Sequence, residues 1–170
     1  MREIKMKDVT LNCGATGEKL DRSFRLLKLI SGAEPKKVAS TKRIPGFNVN
    51  PGLEVGCKVT LKGKKAEELL KRLFESINFK LDEKKFGNGT LNFGIEEYLT
   101  ISGLQFQRDI GILGFSIAIR LTRAGLTIDE RKIKRGRIPK RHKITKEETM
   151  DFFRKKFNIE IKEKRKKEKI

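Results

Sequence analysis

Two stretches of this chain alternate apolar residues with small or polar ones at a period of two, and they constrain the fold more than any other feature. In residues 53–61, Val55, Cys57, Val59 and Leu61 fall on one side, with Gly56, Lys58 and Thr60 on the other. In residues 111–121, Phe115, Ile117 and Ile119 alternate with Ser116, Ala118 and Arg120. Successive side chains of a strand point to opposite faces of its sheet, so both stretches predict strands with one buried and one wet face. Val9, Leu11 and Cys13 against Thr10 and Asn12 give a third strand, and residues 35–40 read as a fourth.

Between the strands the period changes to that of a helix. Over residues 18–31, Leu20, Phe24, Leu27 and Ile30 form one stripe, and Gly32 follows where a helix commonly stops. Residues 64–78 repeat the design with Ala66, Leu69, Leu70, Leu73, Phe74 and Ile77. Thr145 and Glu148 have the spacing of a capping box, and Met150, Phe153 and Phe157 give the helix after it an apolar stripe. Half-buried strands mixed with one-sided helices predict an α+β fold: an antiparallel sheet with helices packed on one face, a two-layer sandwich. We expect one domain over residues 1–157, followed by a charged, flexible tail over residues 158–170.

Charge narrows the partners. The 170 residues hold 41 Lys and Arg against 22 Asp and Glu, a net charge of +19. A chain so basic is drawn to polyanions and releases counterions when it meets phosphates. Eight Lys or Arg fall within residues 131–143, interrupted by Gly136 and Pro139, so no compact core is expected there and the segment reads as an extended basic arm. No apolar run has the roughly 18 residues of a membrane span, and the first residues do not resemble a secretory signal. The expected location is cytoplasmic, with no membrane partner. Cys13 and Cys57, without CxxC spacing, read as buried thiols.

The ingredients of catalysis are sparse. The single histidine, His142, lies between Arg141 and Lys143 inside the basic arm and reads as a further phosphate or ribose contact. Glu67-Glu68 and Glu147-Glu148 open helices, where carboxylates suit the dipole, and Asp129-Glu130 balances the arm. Glu96-Glu97 has no such role. With no P-loop, nucleotide-binding glycine pattern or metal-ligand cluster, we expect no enzyme, cofactor, metal or small-molecule substrate. An RNA-acting enzyme using Glu96 and Glu97, or a DNA-compacting protein, are the competing classes.

The candidate RNA-binding residues form two groups. Thr10, Asn12, Lys58, Thr60 and Lys62 occupy the open sheet face, where short polar groups and ammoniums can bond sugars and phosphates. Phe115 falls on the apolar side, so the face carries no stacking aromatic and should grip backbone and shape. The second group is the arm: Arg131, Lys132, Lys134, Arg135, Arg137, Lys140, Arg141, His142 and Lys143.

Several segments together resemble the large-subunit ribosomal protein L-five family, in its archaeal or eukaryotic form. These are LLKLISGAEPKKVASTKR from Leu26, IPGFNVNPGLEVGCKVTLKG from Ile44, FGNGTLNFGIEEY from Phe86 and GILGFSIAI from Gly111. RAGLTIDERKIKRGRIPKRHKITKEETMDFFRKKF from Arg123 carries the basic arm that bacterial members lack. The resemblance implies a structural protein that binds 5S rRNA and attaches it to large-subunit rRNA in the central protuberance. It further implies contact with P-site tRNA through a loop, here Pro45, Gly46, Phe47, Asn48, Val49, Asn50, Pro51 and Gly52, and a bridge to the small-subunit head. It matches Asn12 and Thr60 to polar 5S contacts. Three positions depart from the family pattern: Glu34, at a position the resemblance makes a 5S rRNA contact, stands for a usual Gln, Asn50 for a frequent Arg and Thr90 for a frequent Asn.

Overall fold

A computed structural model describes residues 2–162 of the chain. In chain order the elements are β1 (Ile4–Gly14), α1 (Glu18–Ser31), β2 (Lys36–Ala39), β3 (Glu54–Leu61), α2 (Lys64–Ser76) and β4 (Lys80–Asp82). Then come β5 (Thr90–Ile95), β6 (Phe115–Arg123), the single-turn α3 (Thr127–Glu130), α4 (Lys146–Phe157) and β7 (Glu160–Lys162). Five strands form one antiparallel sheet in the order β2-β3-β1-β6-β5. This is the two-layer α+β architecture that the alternation predicts.

The buried face of the sheet carries Val9 and Leu11, Cys57 and Val59, Ile117 and Ile119, and Leu91 and Phe93. One apolar cluster joins these residues to Leu26, Leu27 and Ile30 of α1 and to Leu70, Leu73 and Phe74 of α2. From α4, Phe153 and Phe157 complete an aromatic group with Phe74, Phe86 and Phe93, ring centroids lying 5.2–6.3 Å apart. Each ring so buried contributes roughly 2–3 kcal/mol by removal from water. One position of the predicted α1 stripe differs slightly: Phe24 is half-buried, and Ser23 beside it is fully buried. The Ser23 hydroxyl accepts from the Cys13 thiol at 3.1 Å and donates to the Lys19 carbonyl, tying α1 to β1.

Helix α4 starts where its capping box places it. Thr145 accepts from the Glu148 amide, and the Glu148 carboxylate takes the Thr145 amide in return. Asn158 ends the helix in a left-handed conformation, φ 52°. Beyond it, the tail expected over residues 158–170 begins with five described residues. Ile159 is buried at 3% exposure, and β7 pairs in parallel with β4, placing Leu81 opposite Ile161. Apolar Ile159 and Ile161, alternating with Asn158, Glu160 and Lys162, give this short segment a buried side. The remainder of that tail, residues 163–170, lies outside the described residues.

Candidate nucleic-acid interface

The sheet pairing converts sequence alternation into rows across the uncovered face. One row runs Lys36, Lys58, Asn12, Ser116 and Gly94 from edge to edge. The next holds Thr60, Thr10, Ala118 and Asn92, and a third sets Asp8, Arg120 and Thr90 side by side. Among the described residues none in these rows is aromatic. The face is therefore a field of short polar groups with lysines at one side and an arginine at one corner. Thr10 and Thr60 touch through their hydroxyls at 3.1 Å, fixing the centre of the face.

Of the residues expected on this face, Asn12, Lys58, Thr60 and Lys62 are exposed and Thr10 is half-buried. Glu34 is exposed too, but it stands in the bend before β2, at the rim of the sheet. Lys36, Ser116, Asn92 and Arg120 share the face with them. Alternation around Phe115 already assigns Ser116 and Arg120 to it. Lys36 sits on a four-residue edge strand, too short to show a period.

The loop between β2 and β3 is built rather than slack. Pro45–Phe47 forms a 3-10 turn, Asn48 takes φ 52°, and Ile44 and Val49 pair across its base. Ser40 and Leu53 close the neck, with the Ser40 amide bonded to Leu53 and the Gly52 amide to Ser40, each at 2.8 Å. Phe47 projects from the tip, 80% exposed, whereas Val49 is buried at 7%. Val49 thus anchors the loop and is not part of its outward surface.

The arm has only a single-turn helix at its root and one 3-10 turn, Lys140–His142, and it doubles back on itself. The Gly136 amide bonds the Ile128 carbonyl at 3.3 Å, closing a turn with Ile133, 78% exposed, within it. Both ends are tied to the body. Arg123, 6% exposed, donates through Nη1 to the carbonyls of His142 and Lys143 at 3.3 and 3.4 Å, and through Nη2 to Glu148 at 2.7 Å. That ion pair and the capping bond from Thr145 hold the Glu148 carboxyl below its ordinary range, the Thr145 backbone bond being the larger cause. His142 is half-buried and donates Nε2–H to the Ala124 carbonyl at 3.0 Å, so its ring fastens the arm's return. The eight Lys and Arg side chains of the arm are all exposed.

The acidic pairs fall largely into structural roles. Asp129 takes Arg135 at 3.2 Å, Glu130 pairs with Lys7, and Glu67 takes Lys156 at 2.5 Å. Glu96 and Glu97 are exposed. Cys13 and Cys57 are buried free thiols, facing one another as register partners of β1 and β3. Burial, then the neighbouring sulfur, pushes the Cys57 thiol up to about 11, so it stays protonated. Among the described residues no helix is long and apolar enough to cross a membrane.

Fold and site together define a class: a basic two-layer α+β protein with a polar sheet face left uncovered and a tethered cationic loop beside it. Residues 54–152 match the model of the C-terminal region of the ribosomal L5 family. Over 164 residues the chain is 36% identical to the large ribosomal subunit protein uL5 of Nanoarchaeum equitans, covering 95% of this chain and 97% of that one. It is 37% identical to the protein of that name from Sulfurisphaera tokodaii, covering 95% and 93% of the two chains. With its counterpart from Picrophilus torridus it shares 38%, covering 95% and 94%. The chain belongs to the ribosomal L5 family, in its archaeal form; it is not an enzyme.

Proposed function

We propose that this ribosomal protein, a structural component of the large subunit at work in the cytoplasm, binds 5S rRNA on its open sheet face and attaches it to large-subunit rRNA. The observation that carries this reading is the five-strand row Lys36, Lys58, Asn12, Ser116 and Gly94. It has cations at one end, amide and hydroxyl groups in the middle and no bulky side chain to hold an RNA backbone away. The arm supplies a second RNA surface, through Arg131, Lys132, Lys134, Arg135, Arg137, Lys140, Arg141 and Lys143, facing large-subunit rRNA. The pinned loop presents Phe47 to P-site tRNA. Exposed Phe106 and Ile112, at 56% and 62%, offer the apolar surface best suited to a protein of the small-subunit head.

The test is a competition titration. The wild-type chain should favour 5S rRNA over an unrelated hairpin at physiological salt. Asn12→Ala with Thr60→Val should cut that preference roughly tenfold and leave the salt dependence unchanged, because neither residue neutralises a phosphate. Equal affinity of the wild-type chain for both RNAs would overturn the 5S assignment.

A further inference from the structure

We propose that Arg120 binds a phosphate of the RNA backbone where the open sheet face runs into the root of the arm, with buried Asp8 as the positioning residue that presents it. This rests on the RNA-binding reading above and adds a residue of the open face that lies outside the row carrying that reading.

Asp8 is 2% exposed, yet its carboxylate lies on the open-face side of β1, directly across from Arg120 on β6. It takes Arg120 Nε at 2.9 Å and Nη2 at 2.5 Å, a bidentate fork that fixes the plane of the guanidinium. Those two bonds use two of the five N–H donors of an arginine. The Arg120 side chain is nevertheless half exposed, 51% against 3% for Asp8, so it keeps solvent-accessible surface beyond its bonds to Asp8. Its Nη1 makes an ion pair with Glu130 at 3.7 Å, beyond hydrogen-bond reach, and Glu130 pairs with Lys7 as well.

The surroundings are those of an anion site. Arg120, Arg131, Lys132 and Arg135 line an open groove of about 630 Å³ together with Asp129 and Glu130. Asp129 is held by Arg135 at 3.2 Å. Four cations against two carboxylates leave a surplus of two positive charges, and Arg131 and Lys132 beside Arg120 carry it. Neighbours on the sheet are small: Ala118 and Thr122 flank Arg120 along β6, and Thr90 faces it on β5. A strand of RNA lying along β6 from the Asn12–Ser116 row meets Arg120 after roughly 14 Å, four residues at the strand rise, with nothing bulky between. A guanidinium needed only to neutralise Asp8 would require no groove of arm cations around it.

The discriminating variant is Asp8→Asn combined with Arg120→Gln, which replaces the ion pair with a neutral hydrogen-bonding pair. It should unfold near the wild-type temperature and bind 5S rRNA about five- to tenfold more weakly. The slope of log K against log salt should fall by about 0.7–0.9, one phosphate contact. Asp8→Asn alone keeps the Arg120 charge but frees the fork, and should weaken binding about threefold with the slope unchanged. A double variant that binds with wild-type affinity and slope would show Arg120 to be structural only and overturn the proposal. The wild-type chain gives a check that needs no substitution. Nitrogen-15 spectra of the arginine side chains should show the Arg120 Nη1 protons slowing their exchange as RNA is added, and unchanged exchange at saturation also overturns it. The two readings fail separately. A wild type that prefers 5S rRNA beside an indistinguishable double variant sinks only the Arg120 assignment. A wild type without preference sinks the 5S reading, while the contribution of Arg120 to the salt slope is still measured on the hairpin.

Discussion

The open sheet face and the basic arm lie next to one another and are built on opposite principles. Positions on the face are set by strand register, so Lys58, Asn12 and Ser116 keep fixed spacings whatever the solvent does. The arm concentrates eight cations on a segment without long regular structure, and its shape depends on a few ties at its ends: Arg123 to Glu148, His142 to Ala124, Gly136 to Ile128. A registered array of neutral polar groups discriminates, because a partner of the wrong shape leaves those groups unpaired. A dense set of exposed charges gives affinity that any phosphate chain can satisfy and that salt erodes. On the proposed RNA-binding reading, selectivity and strength are thus assigned to different elements.

That division can be broken most directly at the arm. Changing all eight arm Lys and Arg residues to Gln should weaken RNA binding about 100-fold or more at physiological salt and reduce the salt slope by several contacts. The preference for 5S rRNA over a hairpin should move by less than about threefold. A collapse of that preference in parallel titrations would mean that the arm discriminates as well.

A smaller effect comes from acid, which acts on both regions through one carboxylate each. The bond from Arg120, outweighing the opposing effect of burial, holds Asp8 below its ordinary value of 3.8, and Glu148 is likewise depressed below 4.5. A depressed carboxylate stabilises the fold above its unfolded pKa, and that contribution is lost as pH falls through the folded value. The unfolding temperature should therefore hold steady down to about pH 5 and drop below about pH 4. Asp8→Asn should flatten the drop in unfolding temperature. Glu148→Gln should instead make the arm sensitive to trypsin at neutral pH. An acid transition unaltered by either change would remove these two anchors from the account.

The smallest change expected is at the rim. Glu34 is exposed beside Lys36 at the edge of the proposed RNA face. Its replacement by Gln removes one screened repulsion and should raise 5S affinity about two- to threefold. A loss of affinity would show that the carboxylate accepts a bond from a ribose hydroxyl.

Much of this architecture can be read from local patterns. Helices α1 and α4, strands β1, β3 and β6 and the polar face follow from periods of 3.6 and 2 and from one capping box; β5 is not among the expected strands. What escapes is what depends on distant residues. Strands β4 and β7 are three residues each and pair across most of the second half of the chain, so neither shows a usable period. The N-terminal part of β1 is obscured by an irregularity between Met6 and Asp8. The site follows the same rule. Thr10, Asn12, Lys58 and Thr60 are legible because alternation puts them on one face. The pairing of Asp8 with Arg120 is not, since the two are 112 residues apart. Nor does the sequence show that Arg123, one more cation in a basic chain, is buried. Charge density identifies the arm but says nothing of its turn at Ile128–Gly136, which is closed by one backbone bond and the Arg135–Asp129 pair.

At the centre of the face, the hydroxyls of Thr10 and Thr60 are 3.1 Å apart, and either can be the donor. One proton is committed to the contact between them, and the other is left to point outward. Reversing both rotors moves the outward proton from one strand to the other without moving a heavy atom. The middle of the sheet is therefore reversible in polarity, able to give a hydrogen bond from either β1 or β3 and to accept at the other. A ribose 2′-hydroxyl has the same two-way character. Two such groups can meet in either orientation, so on the proposed reading this rigid surface would tolerate small shifts in where an RNA chain comes to rest.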